Sequence, residues 1–308
     1  MDAAVGTKIY KTRKKVDGWR IAIHSFFIFT SIVLFIIPLW LVISISLTTE
    51  EEIFRYGFQF IPNTFSTIAY SYIFSNMRQI VYAYAVTAFQ GFAGTFFEVL
   101  IASLCAYSLS RAYFRYKKHV TWFLFITMIF SGGLVPSYIL ITQYLRLADS
   151  IWVYIIPSLV NVWFIIVFRT FFQGLPDSLA ESAKMDGASE FRIYAQIIIP
   201  LSKPVLATAA LLILLGRWNV WFTTLLYIRN PDLYTLQFLL HRILTDAQAA
   251  QDMIDNVPPW LVGAFDFRMP LESLRYAMAV IAAGPMLFVF PFFQKYFSRG
   301  LIVGAVKG

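Results

Sequence analysis

The feature that most limits what this chain can become is a succession of six apolar runs. They are 21–47, 80–107, 120–144, 151–172, 204–228 and 274–293. About 20 apolar residues in helical form cross the ~30 Å hydrocarbon core of a bilayer, and each run meets that length. Composition agrees, with 59% hydrophobic and only 14% charged residues, where soluble domains carry about a quarter charged. The expected fold class is an all-α membrane protein of six transmembrane helices, with a helix–turn–helix loop between the fourth and fifth. The first run is longer than the ~7–15 residues of a signal-peptide core, and no small-residue cleavage site follows it. It is therefore read as a retained span. The third run is interrupted near Gly132-Gly133 and Pro136.

Charge placement sets the orientation. With the N-terminus inside, the internal segments hold 17 Lys and Arg and the external loops seven. That asymmetry follows the positive-inside rule and puts both termini and the 175–204 loop in the cytoplasm. The domain expectation is a cytoplasmic tail at 1–20, a membrane domain at 21–300 with a long polar external loop at 229–272, and a cytoplasmic tail at 301–308. The net charge of +8 is carried by these membrane-flanking segments, so it is read as a response to anionic lipid and not to nucleic acid. The single Cys105 lies inside a span; it is expected to be a buried, inert thiol, and it allows no disulfide within the chain.

The loop at 175–204 has its own local design. Ser178 with Glu181 three residues later fits a capping box at a helix start. That helix should run to about Met185 and stop at Asp186-Gly187, because glycine tolerates the left-handed turn that ends helices. Ser189 can cap a second helix, Glu190 to Ile199, with Phe191, Tyr194 and Ile198 on one face. Pro200 ends it, and Pro204 suits the first turn of the next span. Local physics leaves two readings open, a hairpin lying in the lipid headgroups and a knob that docks into a partner protein.

At these residues the sequence resembles the ABC importer permeases of the carbohydrate-uptake type. Glu181-Ser182-Ala183, Asp186-Gly187-Ala188, then Ile199-Pro200-Leu201 and Pro204 are similar to that family's cytoplasmic EAA loop. Ser182 stands where the usual residue is Ala. The resemblance implies that this loop seats in a cleft of an ATPase subunit, with Glu181, Ser182, Ala183, Asp186, Gly187, Ala188, Phe191 and Pro200 as the coupling residues. Phe60-Ile-Pro-Asn-Thr-Phe-Ser resembles the first external loop of carbohydrate-importer permeases. The segments Pro270–Pro285, Gln294–Phe297 and Gly304–Gly308 resemble the C-terminal region of the second, shorter membrane subunit. In a maltose importer of that family the tail reaches into the ATPase dimer, which implies the same for Gly304, Ala305, Val306, Lys307 and Gly308. The implied partners are a second homologous permease, an ATPase dimer holding ATP and Mg, an extracellular solute-binding protein, a carbohydrate and the lipid bilayer. The implied location is the bacterial plasma membrane. By resemblance the substrate is an oligosaccharide, in some relatives acidic and derived from plant polysaccharide.

The chain carries no phosphate-binding G-x-x-x-x-G-K-[ST], no H-E-x-x-H and no G-x-S-x-G. No enzyme activity, metal site or bound cofactor is expected of it. Charges inside the spans are costly unless they face protein or water. Glu98 and Arg217 are such charges, expected either to pair or to face the pathway. Asn219 with Trp218 and Trp221, Asn161 with Trp163, and Gln90 offer polar groups beside aromatic rings, as a sugar pathway needs. Trp as an interface anchor and Asn or Gln as helix–helix glue are the plainer alternatives. The small face Ala279, Ala282, Ala283 and Gly284 suggests close helix packing. A secondary transporter with a docking loop is the alternative reading of the whole, followed by an intramembrane enzyme and a structural scaffold.

Overall fold

In the computed structural model, the backbone is described for residues 18–256 and 270–305 and side chains as far as residue 292. The chain is helical almost throughout, and among the described residues the only β pairing is an isolated bridge between Thr48 and Phe65. In lipid every backbone polar group must find its partner within the chain, which is why helices dominate. Three helices are long and apolar enough to cross a membrane: Ala22–Ser46, Ile68–Ser110 and Leu271–Phe292. Three bent pairs also qualify if each is one span. These are Lys117–Ile129 with Leu134–Tyr144 (111°), Ile151–Ser158 with Val162–Gln173 (49°), and Glu190–Leu201 with Lys203–Trp218 (80°).

The helices in chain order are α1 (Gly18–Ser31), α2 (Ile37–Ser46), α3 (Glu50–Tyr56), α4 (Ile68–Ile73) and α5 (Met77–Ser110). They continue as α6 (Lys117–Ile129), α7 (Leu134–Ile139), α8 (Val162–Gln173), α9 (Asp177–Met185), α10 (Glu190–Ile193) and α11 (Ile199–Leu201). The last four are α12 (Lys203–Trp218), α13 (Phe222–Tyr227), α14 (Leu236–Asp255) and α15 (Leu271–Ala305). The α5 helix is the central post, packed against α8 and α12. Two cores form along it. The first gathers Ile80, Ala83, Val153, Tyr154, Trp218, Leu236 and Leu274. The second gathers Ala102, Ala106, Phe164, Phe168, Phe172, Ile193, Tyr194 and Ile198. The small face expected on α15 is not a packing face, since Ala279 and Ala283 are exposed and a Cβ at Gly284 would meet nothing within 4 Å. The helix is instead tied inward through its backbone, Trp218 Nε1 donating to the carbonyl of Ala282 at 3.0 Å and the Tyr84 hydroxyl to that of Ile281 at 2.8 Å.

Several sequence expectations are corrected. The 229–272 segment, expected as a long external loop, is not mainly loop, because α14 fills Leu236–Asp255. Leu236, Leu239, Leu240 and Ala247 are buried at helical spacing, a stripe masked by the Arg, Asp and Gln residues on its outer face. The Pro258-Pro259 pair lies outside the described residues. The fifth run does not stay helical to residue 228. Its helix ends at Trp218, and α13 follows a break at 219–221. The fourth run begins as two 3₁₀ turns, Ile151–Tyr154 and Ile156–Ser158. Cys105 is exposed on the outer side of α5, not buried. The three consecutive acids Glu50, Glu51 and Glu52 have separate tasks. Glu50 accepts from the backbone of Glu272 and Ser273 at the start of α15, Glu52 from the backbone of Asn63 and Thr64, and Glu51 pairs with Arg55.

Candidate functional site

The knob expected between the fourth and fifth spans is α9 to α11. Its first helix starts two residues earlier than the capping box required, at Asp177 with Pro176 in the cap position. Pro176 already supplies the extended residue before the helix, so Ser178 falls inside the first turn and no side chain caps that end. The stop is as the sequence reads: Asp186 closes the helix and Gly187 takes φ +80°. A Cβ at Gly187 would meet nothing within 4 Å, so its glycine requirement is one of backbone conformation alone. Ser189 caps the second helix by accepting from the backbone of Arg192. That helix then passes through a π turn at Tyr194–Ile198. The wider turn aligns Ile193 with Ile198, five residues apart, and both are buried with Tyr194. Phe191 falls off that stripe and is exposed, contrary to the single face expected.

The knob thus has two faces. Ala180 is buried, and Ala183, Ala188, Ile193, Tyr194 and Ile198 pack into the second core. Glu181, Ser182, Met185, Asp186, Phe191 and Pro200 are exposed. Of the expected coupling residues, Ala183 and Ala188 therefore seat the knob and the others form its free surface. A polar cluster locks it to α5. Glu190 accepts from the Tyr107 hydroxyl at 2.6 Å and pairs with Lys184 of α9 at 2.7 Å. Tyr194 and Ser103 share a hydrogen bond of 2.7 Å, and the Arg111 guanidinium lies over the Tyr107 ring at 4.7 Å. Burial alone pushes the Glu190 carboxyl up, but the hydrogen bonds from Lys184, Tyr107 and Tyr113 outweigh it and hold the carboxyl down at about 2. Lys184 and Glu190 are six apart and meet only because the Gly187 turn folds α10 back. Helical spacing offers no signal for such a pair.

The second assembly lies within the membrane domain. Glu98 of α5 and Arg217 of α12 form an ion pair, Nη2 to Oε2 2.7 Å and Nε to Oε2 3.2 Å. Nη1 donates to the Tyr154 carbonyl at 3.0 Å and Nη2 to the Ser158 hydroxyl at 2.9 Å. Of the two sequence alternatives, the structure shows pairing. Gly94 makes the approach possible, since a Cβ there would overlap the guanidinium. Beside the pair is a cavity of about 480 Å³, lined by Glu98, Tyr154, Ser158, Asn161, Arg217 and Tyr227 among apolar side chains. Its walls include the 3₁₀ turns and the 219–221 break. Irregular backbone at membrane depth is tolerated where it is buried in protein or faces a cavity, and this cavity occupies such a place.

The other pathway candidates are not brought together. Gln90 is fully buried, and its Nε2 donates to the Arg217 carbonyl at 2.6 Å. Trp218 is buried against α15. Asn219 is exposed at the end of α12 and receives a hydrogen bond from Gln237 of α14 at 3.1 Å. Gln90 and Trp218 hold helices together, whereas Asn161 caps α8 and also reaches the cavity. Among the described residues no group of His, Cys, Asp and Glu could hold a metal ion. Gly304 and Ala305 end α15, while Val306, Lys307 and Gly308 lie outside the described residues.

These features have counterparts in known proteins. The polygalacturonan/rhamnogalacturonan transport system permease protein YtcP of Bacillus subtilis is 36% identical over 278 residues, covering 89% of this chain and 93% of that one. The arabinooligosaccharides transport system permease protein AraQ of the same organism is 28% identical over 94% of this chain and 96% of its own. A chain from the crystal structure of a bacterial ABC transporter involved in import of the acidic polysaccharide alginate superposes with a TM-score of 0.73 at 28% identity. The match covers 94% of this chain and 100% of that one. A family of transport components, not of enzymes, is matched across residues 10–303, and the chain belongs to it: the binding-protein-dependent transport system inner membrane components.

Proposed function

We propose that this chain is the second, shorter membrane subunit of an ATP-driven importer of oligosaccharides in a bacterial plasma membrane. The observation that carries this is the knob, whose inner face is fused to the second core while Glu181, Ser182, Met185 and Phe191 stand free. A headgroup-lying hairpin would turn its apolar stripe to lipid, whereas here that stripe is spent on the chain's own helices. The free face seats in an ATPase subunit, with Glu181 meeting a basic group there. Gly304–Gly308 reach the ATPase dimer from the other side. ATP and Mg are held by those partners, and this chain binds no cofactor. A second, homologous permease completes the pathway, and an extracellular binding protein delivers the sugar. Both termini are cytoplasmic.

Closure of the ATPases around nucleotide moves the knob, and with it α5. Nucleotide must favour one of two arrangements of the membrane domain for this to drive transport. The substrate is a carbohydrate chain, and an acidic one is supported by the names of the polygalacturonan/rhamnogalacturonan permease and the importer of the acidic polysaccharide alginate. It draws no support from Arg217, whose charge is already matched by Glu98.

Co-purification of the tagged chain from its native membrane tests the reading. An ATPase and a second permease are expected to accompany it, with Glu181→Ala weakening the ATPase's association or its coupling. A chain that purifies alone and transports without ATP would return the reading to a secondary transporter.

A further inference from the structure

We infer that the groove between α6 and α8 is a binding site for one anionic phospholipid of the cytoplasmic leaflet. The groove has a volume of about 710 Å³. Arg115, Lys117, Lys118 and Arg169 line one end of it. No carboxylate lines it, and none of the four forms an ion pair among the described residues. Arg55, Arg78, Arg111, Lys184, Arg217, Arg242 and Arg275 each have a carboxylate within 4.0 Å, whereas among the described residues Arg146, Arg192, Lys203 and Arg229 do not, so the groove is set apart by having four cations without an ion pair in one lining. An uncompensated cluster of this kind attracts a phosphate.

The rest of the groove has the shape of a lipid tail site. Trp122, Phe125 and Ile129 continue the same face of α6 at i, i+3 and i+7, and all three are exposed. At 1.5 Å per residue, Lys118 to Ile129 covers about 16 Å. That is close to one leaflet, about half of the ~30 Å hydrocarbon core. At the end of the stripe the chain turns away by 111° into the second half of the bent pair. Lys117 and Lys118 at the start of α6 line the groove together with Arg169 in the last turns of α8. Arg169 Nη1 donates to the Thr121 hydroxyl at 3.1 Å, which pins the two basic ends together. Charge at one end and a leaflet-long apolar stripe beyond it match a phosphodiester with its acyl chain. A soluble anion would use only the first feature. The inference depends on the chain's place in the membrane and not on which sugar is carried.

Native mass spectrometry of the purified full chain, titrated with phosphatidylglycerol, phosphatidylcholine or inorganic phosphate, tests it. The wild type is expected to prefer phosphatidylglycerol. The variant Arg115→Gln/Lys117→Gln/Lys118→Gln/Arg169→Gln should lose that preference about tenfold or more, and Arg146→Gln/Arg229→Gln, two external cations away from the groove, should keep it. Helical circular dichroism and a monodisperse elution profile identify a variant that has lost its fold. In that event Trp122→Ser/Ile129→Ser, which leaves every charge in place, serves instead and should weaken retention of phosphatidylglycerol. Equal binding of both lipids by the wild type would overturn the inference. So would phosphate binding that matches the lipid, which would make the groove a free-anion site. Loss of the lipid when the ATPase or second permease assembles would assign the groove to a protein partner and overturn it as well.

Discussion

Two ion pairs of the same length, 2.7 Å, join parts of this molecule in opposite surroundings. In the membrane domain the Glu98 and Arg217 side chains are each 6% exposed, whereas Lys184 and Glu190 in the knob are 39% and 46% exposed. The first pair has lost its water. It is tolerable because Arg217 places its remaining donors on Tyr154 and Ser158, so that three segments converge on one guanidinium. The second pair is still partly in water and is worth little by Coulomb attraction alone. Its value is geometric, since it ties α9 to α10 while Tyr107 ties both to α5. The same contact is thus a condition of folding in one place and a positioning device in the other.

The largest effect should come from breaking the buried pair on one side. Arg217→Met leaves Glu98 without its counter-charge and should cost about 3–5 kcal/mol, whereas joint replacement by apolar residues is often close to neutral. Glu98→Leu/Arg217→Met should therefore recover most of the loss, read as unfolding midpoint in detergent. A double variant as unstable as the single ones would show that the two charges serve something besides each other. Exchanging them, Glu98→Arg with Arg217→Glu, separates the remaining roles. Restored assembly and transport indicate pairing, and assembly without transport indicates a further part in the pathway. Gly94→Ala attacks the same pair through space. The added methyl overlaps the guanidinium and should cost about 1–3 kcal/mol as overpacking. The effect should largely vanish in an Arg217→Met background, where the bulky planar group is gone.

Next in size is Gly187→Val. A β-branched residue held at φ +80° is strained by about 1–3 kcal/mol. Relief by leaving that conformation would swing α10 away from α9. ATPase activity in the assembled transporter should then run without transport, and Gly187→Asn, which tolerates the left-handed region better, should be milder. Wild-type coupling in Gly187→Val would contradict the turn's role.

How much of this the sequence discloses follows from the range of each signal. The spans, the Gly187 stop and the Ser189 cap rest on neighbouring residues and are legible. So is the cost of Glu98 and Arg217 in lipid, though not their pairing. Composition is a poorer guide than period, as α14 demonstrates: its polar face reads as loop, while Leu236, Leu239, Leu240 and Ala247 keep helical spacing. Gln90 and Trp218 have the chemistry of sugar contacts, and only the packing of α5, α12 and α15 shows them committed to other backbones. Ser158, Tyr154 and Gly94 carry no local sign of their tie to Arg217, because it depends on segments brought together across the fold.

The smallest effect belongs to the knob's pair and sharpens the comparison by its dependence on conditions. Glu190→Gln keeps the shape and removes the charge, so the loss at neutral pH should be no more than about 1 kcal/mol, as for exposed pairs. Raising salt to about 1 M shortens the screening length to about 3 Å and should narrow the difference from wild type, which no buried pair would show to that degree. Acid should act in a defined window. The Glu190 carboxyl falls from an ordinary 4.5 to about 2 in the folded chain. Its contribution is therefore complete above pH 4.5 and is lost as pH falls toward 2. Wild type and Glu190→Gln should differ above that window and converge within it. A difference that stays constant from pH 5 to about 2.5 would mean that shape alone, and not the charge on Glu190, holds the knob to α5.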